Sequence, residues 1–435
     1  MPFPENYRPR PGIVLHTNRI YPVTSMVPEV RVGIYGLLSS VWRRHASVCC
    51  ILTILPALGS AVLGQLQPAD PVTGSGFEHF YNMEYDRSVQ DFQRVVDKHP
   101  GDAMAVNHLL NAVLIRELYD IGAMNTGEYA GNGFVGQSHR AADPKVKEQI
   151  KQLVHRAETI EEQQLKSNPN DADALYARGV TEAQFSLYTG LVEKAWFSAL
   201  RNAVGARHDH ERVLELKPDY VAAKLVVGTH KYVLGSLPWS VKAAVMLVGL
   251  SGSKEKGLEY LKEVGQSSAE NSVDAQIVLA LFLRREGKFD EARGIVHELV
   301  GRFPRNYLLA VEEAHLSRAS GHVAEAAAGY HAVFQAGQEG KYGRLHYEVA
   351  AYSLGELLRS QKDYAGAAAA FEMVGTAANP EAETLQKANL AAGEMYDLLQ
   401  KRDLAVKKYQ TVVTENGGTS WADDARKFMR ESYRE

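Results

Sequence analysis

The chain has 435 residues, 45% hydrophobic and 23% charged, with 48 Lys and Arg against 52 Asp and Glu. A formal net charge of −4 offers no basic face for a phosphate backbone, which argues against a nucleic-acid partner. The two cysteines, Cys49 and Cys50, are adjacent in one apolar run, so the rest of the chain has no disulfide, thiolate nucleophile or cysteine metal site.

The first 64 residues hold six arginines and two acidic residues, leaving 42 basic against 50 acidic beyond them, a net of −8. Arg43, Arg44 and His45 precede an apolar run over 46–58, and small residues follow to Gly64. Positive, then apolar, then small is the order of a secretory signal peptide. Residues 46–64 also approach the roughly 20 that span a bilayer, so a retained anchor is the alternative. Pro56, Gly59 and Gly64 weaken a permanent membrane helix and favour cleavage. The stretch before Met26 is long for a signal's first region, which predicts that translation starts at Met26. The reading is an N-terminal extension and signal peptide or signal anchor over 1–64. It sends 65–435 to the periplasm or cell envelope of a bacterium, with membrane association through 46–64 only if the anchor is kept.

From Gly76 onward one spacing returns: a small residue, another twelve on, a large apolar residue four further, and a proline eight beyond. Gly76, Ser88, Phe92 and Pro100 carry it whole, as do Ala280, Ala292, Val296 and Pro304. Ala314, Ala326 and Tyr330 follow, then Gly355, Ala367 and Phe371, then Gly393, Ala405 and Tyr409. The 34 residues from Ala280 to Ala314 suit a pair of antiparallel helices, with small residues where the two cross closely. Proline closes the two complete copies because it cannot continue a helix. No useful length of polar/apolar alternation occurs, so almost no sheet is expected.

These residue types and spacings, clearest over 85–102, 287–306 and 363–380, resemble the tetratricopeptide repeat family. The expected fold is all-α: an α-solenoid of about eight helix pairs, with regular repeats at 76–100 and 280–416. A charged helix over 420–435 would cap the exposed end of the stack.

Between them, 101–279 keeps the period with insertions. Pro169 to Pro218 and Gly179 to Gly228 each span 49 residues, one unit plus fifteen. A long loop is expected over 121–143, holding Tyr129 and Phe134, before a helix capped by Asp143 and opened by Pro144. Gly131, Gly133 and Gly136 match a dinucleotide-binding spacing, but no strand precedes them and no helix follows directly, so they read as loop glycines. His208, Asp209, His210 and Glu211 resemble metal ligands, yet histidines two apart on a helix point away from each other; a charged solvent face is expected. Pro238 opens an apolar helix to Leu250, expected to be buried against neighbouring repeats. Leu237 and Pro238, that helix, and then Ser251, Gly252, Gly257 and Leu258 resemble the eukaryotic inclusion-body-clearance tetratricopeptide proteins of the outer mitochondrial membrane.

No nucleophile elbow, phosphate loop or metal spacing occurs, so neither catalysis nor a cofactor nor a metal is expected. The tetratricopeptide resemblance implies that the first helix of each pair lines a groove for a protein or peptide ligand. That groove would present Asn107, Asn111, Tyr176, Tyr232, Arg284, His315, Arg318, Tyr352, Glu356 and Arg359; the loop over 121–143, with Tyr129 and Phe134, is the other candidate for partner binding. Amides can pair with a peptide backbone and arginines with carboxylates. The expected function is an exported scaffold; the alternative is an assembly factor anchored by 46–64.

Overall fold

Aspartates punctuate the first half of the chain. Asp70, Asp102, Asp143 and Asp171 each precede a helix and accept a backbone N–H from its first turn at 2.8–3.0 Å, satisfying donors that have no partner within the helix. The computed structural model describes residues 70–124, 140–239, 242, 246 and 251–435. The N-terminal segment 1–69 lies outside them, and so does 125–139 with Tyr129, Phe134 and the glycine run.

The described residues form eight helix pairs and a terminal helix, with no strand. The pairs are α1 (Pro71–Tyr81) with α2 (Tyr85–Lys98), α3 (Ala103–Asp120) with α4 (Pro144–Ser167), and α5 (Ala172–Leu191) with α6 (Trp196–Leu216). Next come α7 (Lys224–Ser236) with α8 (Lys254–Gly265), and α9 (Ser272–Arg285) with α10 (Phe289–Arg302). The last are α11 (Tyr307–Ala319) with α12 (Val323–Gln338), α13 (Val349–Ser360) with α14 (Tyr364–Val374), and α15 (Ala382–Leu398) with α16 (Arg402–Glu415). Helix α17 (Ser420–Arg430) covers the end, setting Ala422 and Ala425 against Tyr409 and Val412. Each pair packs on the next, as a helical solenoid requires.

The recurring small and large residues meet inside one pair. A Cβ placed on Gly76 would lie 2.6 Å from the Phe92 ring, and one on Gly393 would lie 2.5 Å from the Tyr409 ring. Gly355 is pressed against Phe371 in the same way. The first small residue thus makes room for the large one of its partner helix, sixteen positions on.

The fifteen-residue insertion lengthens a pair rather than breaking it. Helices α5 and α6 run 20 and 21 residues, where α9 and α10 run 14 each. Two extra turns up and two down keep the crossing in register, because fifteen residues are close to four helical turns. His210 takes the large residue's place against Gly179. This corrects the solvent-face expectation for 208–211: His210 and Asp209 are buried, and Arg178 donates to both Asp209 oxygens at 2.6 Å.

Glycines also explain the segment around 252. A Cβ on Gly257 would meet Tyr232 N at 2.5 Å, and one on Gly235 would meet Lys254 N at 2.5 Å. With Gly228 and Gly252 they let α7 and α8 touch backbone to backbone. Most of the apolar stretch between these helices lies outside the described residues. Its Trp239 and Met246 are exposed, at 84% and 59%, contrary to the burial expected of them.

The first repeats also close onto much later connections. Asn306 Nδ2 donates to Tyr81 O at 2.8 Å, and the Arg305 N–H donates to Asn82 Oδ1 at 3.0 Å. Arg305 pairs with Glu84 at 2.7 Å, and the His346 N–H donates to the Tyr119 hydroxyl at 2.9 Å. Phe303 packs on Tyr81, and the His346 ring stacks on Tyr119. This seam buries polar and aromatic groups between residues more than 180 positions apart.

Candidate functional site

The regular repeats repeat their polar residues as well as their small ones. Arg284, Arg318 and Arg359 each lie four positions after the first small residue of their unit, and His315, Glu356 and Glu394 lie one after it. One turn of helix places both positions on the same side of α9, α11, α13 and α15.

Neighbouring repeats then pair these charges. Arg284 Nη1 donates to both oxygens of Glu312 at 2.7 Å, with side chains only 17% and 13% exposed. Arg359 reaches Glu394 at 2.8 Å. His315 lies between Arg284 and Arg318, and its Nδ1 is 2.7 Å from the Tyr330 hydroxyl. Burial, with both arginines adding to it, pushes its pKa down to about 4, so its ring is neutral. Burial pushes Tyr352 up to about 12, with Glu356 and Glu394 adding to it. Burial raises Glu394 to about 7, with Arg359 opposing. Arg318 is exposed, while His315, Tyr352 and Glu356 are half-buried.

The chain's own end covers part of this stripe. Tyr433 accepts a hydrogen bond from Arg359 Nη2 at 2.8 Å, and the Tyr433 N–H donates to Asp397 Oδ2 at 2.8 Å. Asp397 occupies, in the last repeat, the position that arginine holds in the three before it. Glu312, Glu394 and Tyr433 pair with the arginines of this stripe, contacts that sequence reasoning missed. Glu394 was readable from the same phase that picks His315 and Glu356.

The irregular repeats place their residues differently. Asn107 is buried, donating to Ala177 O at 3.0 Å and accepting from the Thr181 hydroxyl at 2.8 Å. Asn111 is buried one turn on. Tyr176 is enclosed between the His210 and Tyr220 rings, and Tyr232 stacks on Phe282 with ring centres 3.8 Å apart. All four are buried and present nothing to a partner, which corrects their placement on the groove. Helices α3, α5 and α7 are buried on nearly every side.

The stripe from Arg284 to Arg359 can hold hydrogen-bonding and charged groups. Among the described residues, no group of three or more His, Cys, Asp or Glu is placed to hold a metal ion, and no helix is long and apolar enough to cross a membrane. No protein-family model matches the chain, and no curated protein matches it. Solved structures do. PilF of Pseudomonas aeruginosa is 13% identical over 57% of this chain and 97% of its own, with a TM-score of 0.34. A tetratricopeptide repeat protein from Parabacteroides merdae is 15% identical over 73% and 97%, at 0.30. Yeast Tom70 is 12% identical over 92% and 95%, at 0.32. At such scores the likeness carries no argument of its own, and the fold stands on the helix pairs above.

Proposed function

We propose that this tetratricopeptide-type repeat protein is an exported scaffold that binds a protein or peptide partner in the cell envelope, without covalent chemistry. The contact is made along α9, α11 and α13, centred on Arg318. The observation that carries the reading is the phased stripe: arginine at one position in three successive repeats, with His315, Tyr352 and Glu356 half-open beside it. Stacked side chains of this kind form a surface that reads an extended chain, with arginine and tyrosine as its anchors. Export rests on the order of Arg43, Arg44 and the apolar run that follows. The second reading, an assembly factor held in the membrane by 46–64, rests on that run's length.

The test is affinity capture from envelope extract with the wild-type chain and Arg318→Glu. Arg318 is the substitution of choice because reversing Arg284 or Arg359 would break half-buried ion pairs. The expected result is a partner captured by the wild type and weakened about tenfold or more by Arg318→Glu, roughly 1.4 kcal/mol. Equal capture by both overturns the stripe as the binding face. Release of the protein by carbonate extraction supports the exported scaffold, and retention in the membrane supports the anchored one.

A further inference from the structure

One end of the seam is left chemically open. Where α1 and α3 meet the start of α9, four polar side chains converge: Tyr81, His108, Glu270 and Asp274. Asp274 is fully buried, yet neither of its oxygens completes a hydrogen bond. His108 is 5% exposed and both of its ring nitrogens lack partners, while its Nε2 points at Glu270 Oε2 from 3.9 Å. The Tyr81 hydroxyl makes a weak hydrogen-bonding approach to Asp274, enough for each to perturb the other's ionisation but short of well-formed geometry. Elsewhere in the same seam Arg305, Asn306 and His346 donate well-formed hydrogen bonds. Buried polar atoms left without partners are costly, so a group of them at one place calls for an occupant.

The chemistry of the lining selects that occupant. Two carboxyl groups face one another, with Asp102 a further negative neighbour of Glu270 and Arg302 the cation that faces Tyr81. Aromatic rings line the same junction: Phe77 lies 5.0 Å from the His108 ring, and Phe303 lies 5.0 Å from the Tyr81 ring. Acidic oxygens beside aromatic faces suit a donor-rich cation and repel an anion. A metal ion is disfavoured, since these residues do not come together in a ligating arrangement. Glu270 is half-buried, which gives the junction a way to the surface.

We propose that this junction binds a small organic ammonium group, held by Glu270 and Asp274 with Phe77 and Tyr81 beside it. The group belongs to a free amine or to the lysine or N-terminal amine of a peptide. Its binding is independent of the Arg318 stripe.

The probes are putrescine, spermidine and benzylamine, a lysine-containing tripeptide with and without acetylated amines, and magnesium chloride alone, followed by thermal melting and calorimetry on the full chain. The amines are expected to raise Tm saturably. Burial holds Asp274 at about 8 and Glu270 well above the usual carboxylate range, so an entering ammonium expels protons. Calorimetry at pH 7 in two buffers of different ionisation enthalpy reads that release. Asp274→Asn and Glu270→Gln should each weaken binding about tenfold or more while helical content is unchanged, and Arg318→Glu should bind like the wild type. Glu270→Gln keeps the test sound if the buried variant misfolds, because Glu270 is the half-open member. Binding of the free-amine tripeptide but not of small amines supports the same recognition with a partner's amine as its source. No response to any amine, undiminished binding in both variants, or a response to magnesium alone overturns the proposal.

Discussion

A methyl group added at Gly355 would press into the Phe371 ring, whereas one added at Gly294 on α10 meets open space. Urea melts should therefore separate the two. Gly355→Ala is expected to cost about 1–3 kcal/mol through overpacking, and Gly294→Ala to gain about 0.5–1 kcal/mol through helix propensity. The arginines divide by the same reasoning. Arg284→Ala removes a bidentate partner from half-buried Glu312 and should cost about 1–3 kcal/mol. Arg318→Ala, at an exposed site, should stay within about 0.5 kcal/mol of wild type. The small residues were legible in the sequence because each answers a large one sixteen positions on within its own pair. Which acids hold Arg284 and Arg359 was not: even Glu394, in phase with His315 and Glu356, comes from the next repeat, and spacing alone does not say which acid will reach.

At the scale of elements, the loop after α3 and the last helix make opposite predictions. The loop's ends are already joined: the Arg140 N–H donates to Ile121 O at 3.1 Å, and the Asp143 N–H donates to Glu117 Oε1 at 2.8 Å. Replacing 125–139 by a short glycine-serine bridge should leave the helical circular dichroism intact; a large loss would show that the loop holds α3 and α4 together. Deleting 420–435 uncovers Tyr409 and Val412 and strips Arg402 of the two carbonyls, Phe428 O and Met429 O, on which it closes. That truncation should lower Tm and fray α16 first, read as early hydrogen exchange in 402–415. Misplacing Asn107, Asn111, Tyr176 and Tyr232 has an elemental cause. A groove-lining helix needs one wet face, and α3, α5 and α7 have almost none. The signal was present: 172–191 holds only Asp173, Arg178 and Glu182 as charged residues, the composition of a helix buried all round.

Across the whole molecule, buried titratable groups set the range of pH in which the fold is best. Burial lowers His108 and His230 to about 3 and His210 and His315 to about 4. The unfolded chain takes up these protons below about 6.5 while the folded chain refuses them, so stability falls as pH drops from there toward 4. Burial raises Glu161, Glu182 and Glu394 to about 7 and Asp274 to about 8. The unfolded chain gives up those protons above about 4.5 and the folded chain keeps them, so stability also falls as pH rises toward 7 or 8. Denaturant melts should find the maximum between about 4.5 and 6.5, and a maximum above 7.5 would contradict these burial effects. The seam carries one further consequence, for the order of synthesis. Tyr81, Asn82 and Tyr119 leave the ribosome more than two hundred residues before Arg305, Asn306 and His346, which complete them. At about 5–20 residues per second, the early helices wait roughly ten to forty seconds with that edge uncovered. An ordinary repeat array can finish each unit as it emerges, but this chain holds an aromatic edge open until more than two hundred further residues have been made.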